Sequence, residues 1–130
     1  MVFGVMYNAC YGGFSFSQSA AEEYSKRTGA NGHTTVDRTD PVMIDICKMM
    51  GSNADGLFSS IKIAYIPYQY KEHFLIAEYD GYETVNIDYN GYTLDKITDV
   101  LHAESISNDT KIQTMLEILA TRSSELAKLQ

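Results

Sequence analysis

The chain has 130 residues, 45% of them hydrophobic and 21% charged, a length and balance that suit one compact domain and exclude a disordered or fibrous chain. Seventeen acidic residues against ten basic ones give a formal charge of −7, so the overall field repels phosphate backbones and anionic lipid heads, which argues against nucleic acid or a membrane surface as a partner. No apolar run approaches the ~18 residues of a membrane span.

The apolar opening MVFGVMYNAC lacks a basic leader and is broken by Tyr7 and Asn8, so it reads as a buried strand over residues 2–7 and the chain as intracellular. In that setting Cys10 and Cys47, which allow at most one bridge, are expected as reduced, buried thiols. Tyr11-Gly12-Gly13 turns the chain into a helix capped by Ser17, or by Ser19 two positions on, with Phe16 as an apolar staple and Gly29 as the stop. The run NGHTTVDRT is an extended connector. Asp40-Pro41 then starts a second helix, with a capping carboxylate and a proline where the missing N–H costs nothing. Its apolar residues, from Val42 through Met43, Ile46 and Cys47 to Met49 and Met50, nearly encircle it and predict burial on most sides before Gly51 closes it.

Three strands follow. Ile61, Ile63 and Tyr65 alternate with Lys62 and Ala64; residues 74–79 and 83–88 are joined by Asp80-Gly81, a type I′ hairpin signal. Asn90-Gly91 ends the sheet, because Leu94, Ile97, Val100 and Leu101 fall at helical spacing. A last helix from about residue 109 to Leu129, capped by Ser107 or Asn108, sets Ile112, Met115, Leu116, Leu119 and Leu126 on one stripe. The fold class is α+β, a single domain over residues 1–130 in the order β-α-α-β-β-β-α-α, with a small antiparallel sheet, a central hairpin and about four packing helices.

Chemistry-bearing residues are sparse. The segment from Asn8 through Cys10, Tyr11, Gly12 and Gly13 to Ser17 sets two glycines between a strand and a helix, where backbone N–H groups form an anion-binding nest or simply make a tight turn. There is no Gly-Lys-Ser/Thr to complete a nucleotide loop. Cys10 is the one nucleophile near that turn, and His33, His73 and His102 are the candidate bases, none at a spacing that puts it beside the thiol. His33, Asp37, Arg38 and Asp40 suggest either a hard-cation or acid/base cluster or a structural arrangement, in which Asp40 caps a helix and Arg38 forms a bidentate pair with Glu78 or Glu83 on the sheet. No catalytic set, metal-ligand spacing or cofactor motif is complete. Ten tyrosines, seven of them on or around the hairpins, give either ordinary strand packing or a protein-binding surface.

Five blocks in fixed order carry a family resemblance: Asn-x-Cys-Tyr-Gly-Gly-Phe (Asn8 to Phe14), a Ser-started helix (Ser17), Arg-x-Asp-Pro (Arg38, Asp40, Pro41), Lys-Ile-x-x-Ile-Pro (Lys62 to Pro67) and Glu-Tyr-Asp-Gly-x-Glu (Glu78 to Glu83). Together they resemble a group of small proteins encoded by large double-stranded DNA viruses and some tailed phages, over about two-thirds of the chain, residues 2–85. The resemblance implies a viral origin, hence host cytoplasm or a virion, and brings no activity, cofactor or catalytic residue with it. Members of the group end soon after the hairpin in a His-Arg-x-Trp-like tail, whereas this chain has no Trp. It continues instead from a family-like core (1–88) into a helical extension (89–130) that covers the sheet or pairs with a second copy.

Two functional expectations follow. The first is a non-enzymatic viral accessory protein that binds another protein and is itself a homodimer, with the virion as one possible home. The second is a small-ligand or anion-binding protein, or an enzyme, whose site is formed by Asn8, Cys10, Tyr11, Gly12, Gly13 and Ser17 with Arg38, Asp80 and Glu83.

Overall fold

The Asp-Pro step does what its chemistry demands. In the computed structural model, which describes residues 1–34 and 36–128, Asp40 accepts from the backbone N–H groups of Val42 (2.9 Å) and Met43 (3.2 Å) at the head of a helix over Pro41–Met50. The elements run β1 (Val2–Asn8), α1 (Gln18–Thr28), α2 (Pro41–Met50), β2 (Ile61–Pro67), β3 (Phe74–Tyr79), β4 (Tyr82–Ile87), α3 (Tyr89–Leu101) and α4 (Asn108–Lys128). Class and order are those expected from the sequence. Thr35 of the connector and Leu129, the expected end of the last helix, lie outside the described residues.

The strands pair two by two instead of forming one sheet: β1 runs antiparallel to β2 in the register Gly4↔Tyr65 and Met6↔Ile63, and β3 antiparallel to β4 through Tyr79↔Tyr82. Asp80 (φ 51°) and Gly81 (φ 87°) supply the two positive φ values of a type I′ turn, so this hairpin closes as its residues dictate. By Cα proximity the chain divides into two compact units, Met1–Ile87 and the part that begins at Asp88.

In the first unit, β1 and α2 make the centre of the core, with Met6, Met43 and Ile46 fully buried and Ala20 and Tyr24 of α1 packed against them. A β-carbon on Gly4 would press on Ile44 and Ile63, so the missing side chain is what lets α2 lie close on the ribbon. Ser17, not Ser19, caps α1: its Oγ accepts from Ala20 N–H (3.1 Å). Burial of α2 is narrower than its composition suggests. Met49 is 61% exposed beside Asp45 and Lys48, because one side of α2 faces water and the ribbon and α1 cover only the other.

In the second unit, Asp88 caps α3 through Gly91 N–H (3.0 Å), so Asn90-Gly91 lies inside the first helical turn, and Ser107 caps α4 through Thr110 N–H (3.2 Å). Arg122 stacks on Tyr89 (5.0 Å) and donates to Asn90 Oδ1 (3.2 Å), which ties the far part of α4 to the start of α3. The expected apolar stripe is split. Met115 is half-buried, while Ile112, Leu116, Leu119 and Leu126 keep 55, 56, 49 and 46% of their surface. The helix is rotated so that the row through Thr114, Met115, Ile118 and Arg122 is the covered one.

Asp40 also accepts from the Tyr24 hydroxyl (2.7 Å), so it joins α1 to α2 besides capping. Asp40→Ala removes both roles and is expected to cost about 1 to 2 kcal/mol, read as a lower denaturant midpoint with an unchanged m-value; Asp40→Asn, which keeps the cap, loses less.

Candidate functional site

β1 ends on Asn8, and every hydrogen-bonding group of that wholly buried side chain is used. Its amide nitrogen donates to the carbonyls of Cys10 (3.0 Å) and Gly81 (2.8 Å), and its Oδ1 accepts from Ser60 N–H (2.8 Å) and the Cys10 thiol (3.3 Å). Three segments remote in sequence therefore meet on one carboxamide. The backbone N–H of Asn8 donates to Glu83 Oε1 (2.8 Å), and Glu83, on the inward row of β4, is 7% exposed.

Arg38 completes the group from the connector. Its Nη1 and Nη2 donate to the two oxygens of Glu83 (2.8 and 3.0 Å), Nη1 also donates to the Met6 carbonyl (3.2 Å), and the guanidinium lies 3.5 Å above the Phe14 ring. Between the two carboxylates the sequence left open, the structure selects Glu83; Glu78 stays exposed and accepts from Gly81 N–H inside the hairpin. Burial alone would raise the Glu83 carboxyl, but the Arg38 hydrogen bonds, the Asn8 N–H and the Arg38 charge outweigh it and hold the group below its usual range.

Of the glycine pair, Gly12 alone serves close approach. A β-carbon on Gly12 would collide with the Phe58 carbonyl, and one on Gly81 with the backbone of Gly12, so the strand-to-helix turn and the hairpin tip touch main chain to main chain. Gly13 meets nothing within 4 Å, and its N–H donates to the Phe58 carbonyl (3.1 Å) instead of facing an anion. Ser17 is likewise occupied, donating to the Asn53 carbonyl (2.7 Å) while it caps α1. Of the two readings of this turn, the tight turn is the one these contacts support, because the Gly13 N–H and the Ser17 hydroxyl are both spent on the chain's own carbonyls.

Of the nine residues singled out, Asn8, Cys10, Arg38 and Glu83 come together in one hydrogen-bonded group, with Gly12 packed against the hairpin beside it. Tyr11 and Asp80 sit at its outer edge, Tyr11 72% exposed against Tyr82 (5.3 Å) and Asp80 at the exposed hairpin tip. Cys10 is half-buried instead of buried, its thiol shared between Asn8 Oδ1 and the Phe58 carbonyl (each 3.3 Å). The acid/base or cation cluster of the connector does not assemble: Asp40 caps α2, and Asp37 accepts from the Thr39 N–H (3.1 Å) and hydroxyl (3.0 Å), which lower its carboxyl against a smaller effect of burial. Among the described residues no three His, Cys, Asp or Glu side chains are placed to hold a metal ion. Sequence reading missed the carbonyls of Phe58, Met6 and Gly81 and the stacking face of Phe14, since a main-chain acceptor leaves no residue-type signal.

No protein-family model, curated protein or solved structure matches the chain.

A depressed Glu83 contributes stability that is complete above its ordinary value near 4.5 and is lost as pH falls through the lower folded value. Glu83→Gln should flatten the acid limb of a stability-versus-pH curve, and Arg38→Met should cost about 2 to 4 kcal/mol, short of a fully buried pair because 28% of the Arg38 side chain reaches water. Adding Glu83→Leu to Arg38→Met recovers part of the loss, a sign measured by a double-mutant cycle.

Burial, then the nearby Asp55 carboxylate, pushes the Cys47 thiol up to about 11. At pH 8 the native chain should therefore release no more than one equivalent of chromophore from a disulfide thiol reagent, against two after unfolding. Cys10→Ser removes the native equivalent and Cys47→Ser does not.

Proposed function

We propose that this chain is a non-enzymatic accessory protein that works by binding another protein and that self-associates as a homodimer. The observation that supports this reading is a division of surfaces. Asn8, Cys10 and Ser17 spend their polar groups on the chain itself inside the first unit, while large apolar and aromatic side chains stand in solvent: Tyr79 at 78%, Tyr11 at 72% and Phe58 at 70%. Tyr11, Tyr79 and Tyr82 border a shallow depression of about 200 Å3 with Ala77 and Thr84, wide enough to seat one side chain of a partner. Tyrosine suits such a place, giving contact area at low entropic cost while its hydroxyl stays wet.

Self-association is assigned to α4. Ile112, Leu119 and Leu126 recur every seven residues with Leu116 beside them, an exposed stripe on a helix of 21 residues, and a second copy of the same stripe is its natural complement. The acidic balance of −7 supports a protein partner over nucleic acid. Among the described residues no helix is long and apolar enough to cross a membrane. The resemblance of the sequence blocks to viral proteins favours host cytoplasm or the particle as its location, and mass spectrometry of purified virions separates the two.

Size-exclusion chromatography with light scattering tests the central claim. The expected result is a dimer that Leu116→Glu with Leu119→Glu converts to monomer, with the melting temperature of the first unit kept within a few degrees. A strict monomer at high concentration overturns the homodimer. Tyr79→Ser should leave the dimer intact and weaken partner capture about tenfold.

A further inference from the structure

We propose that the cavity walled by Phe14, Phe16 and Arg38 binds a small monocarboxylate with a flat apolar body. The cavity measures about 470 Å3, within the range of small-molecule sites, and His33, Thr34 and Ser15 stand around it. In a chain with 17 acidic residues, its described lining contains no carboxylate.

Arg38 supplies the recognition. A guanidinium has five N–H donors, and here one Nη1 hydrogen goes to Met6 and one to Glu83, while one Nη2 hydrogen goes to the other Glu83 oxygen. The two that remain, Nε–H and the Nη2–H beside it, have no acceptor among the described residues. Those two form the side-on fork of the guanidinium, a second edge with the spacing of a carboxylate. Glu83 and the Phe14 ring already hold the group in place, so a ligand loses little affinity to ordering it.

Charge and shape narrow the ligand. Glu83 already neutralises Arg38, so the fork recognises a carboxylate by its two hydrogen bonds and not by net charge, and each further negative charge on the ligand, as in a dianion, is disfavoured. Phe14 and Phe16 meet edge to face at 5.0 Å and are only partly buried, giving a flat ring somewhere to lose water. Ser15 is exposed at the mouth, with its Oγ against the backbone of Gly56, so its amide is a reporter of the site and its hydroxyl is not part of the recognition. The inference is independent of any protein partner and of α4.

The test is a titration of the full 15N-labelled chain with phenylacetate, followed by NMR, with phenylacetamide and inorganic phosphate as comparisons. The expected result is a saturable shift of the Arg38 Nε–H resonance together with the Ser15 and Phe16 amides, at least tenfold weaker with phenylacetamide and absent with phosphate. Arg38→Lys keeps a charge against Glu83 but loses the fork and should weaken phenylacetate at least tenfold; its folding is read from the same spectra. Thr34→Trp, on the exposed rim, crowds the cavity without touching the Arg38 pair and should weaken binding several-fold. No shift at 10 mM phenylacetate, equal binding of phenylacetamide, or shifts that spare Arg38 in the native chain would each overturn the proposal.

Discussion

The first unit depends on a single buried carboxylate. Glu83 sits where β4 would ordinarily carry an aliphatic residue, and a carboxylate there is tolerable only because three donors converge on it: both arms of Arg38 and the backbone N–H of Asn8. The donors come from two stretches of chain and the carboxylate from a third, so the charge acts as a pin through the end of β1, the connector before α2 and the second hairpin. An apolar residue at this place would pack about as well and would not fix which backbone lies against which. The Asn8 carboxamide repeats the logic with neutral groups, reading the carbonyls of Cys10 and Gly81 and the N–H of Ser60.

Such mutual satisfaction has a chemical consequence. A buried group whose lone pairs and hydrogens are all spent on its neighbours is poorly disposed to move a proton or attack a substrate, and Asn8 is in that state. Cys10 donates to two oxygens and Ser17 both caps and donates, so the strand-to-helix turn resembles a joint more than a site. Arg38 differs, because a guanidinium has more donors than one carboxylate and one carbonyl consume. Its role as a pin and its spare fork arise from the same geometry.

The surface follows a different rule from the interior. With two ribbons of two strands each, this chain has little sheet area on which to bury aromatics, and tyrosines near the hairpin tip stay in water. α4 likewise turns its polar-rich row inward, with Arg122 stacked on Tyr89, and leaves leucines outside. A chain of this size exposes some apolar surface in any case. A row of four on one helix is more than scatter.

Local signals were legible wherever the cause of a structure lies within a few residues. Asp40-Pro41, Ser17, Gly29 and Asp80-Gly81 each act through their own backbone neighbours, so caps, stops and the type I′ turn could be read in one dimension. The pairing of Arg38 was legible in kind but not in partner, since Glu78 and Glu83 stand opposite each other on one face of the ribbon and only the packing of β1 against β4 tells them apart. Gly12 and Gly13 look equivalent on paper. Only the approach of the Phe58 carbonyl makes the first indispensable and leaves the second free, and the division of four strands into two ribbons, the outward stripe of α4 and the spare edge of Arg38 were settled in the same way. What sequence by itself determined is the set of elements and their ends, because these arise from short-range backbone chemistry. What only the tertiary structure decided is which polar groups consume one another, because that depends on segments brought together from up to 75 residues apart.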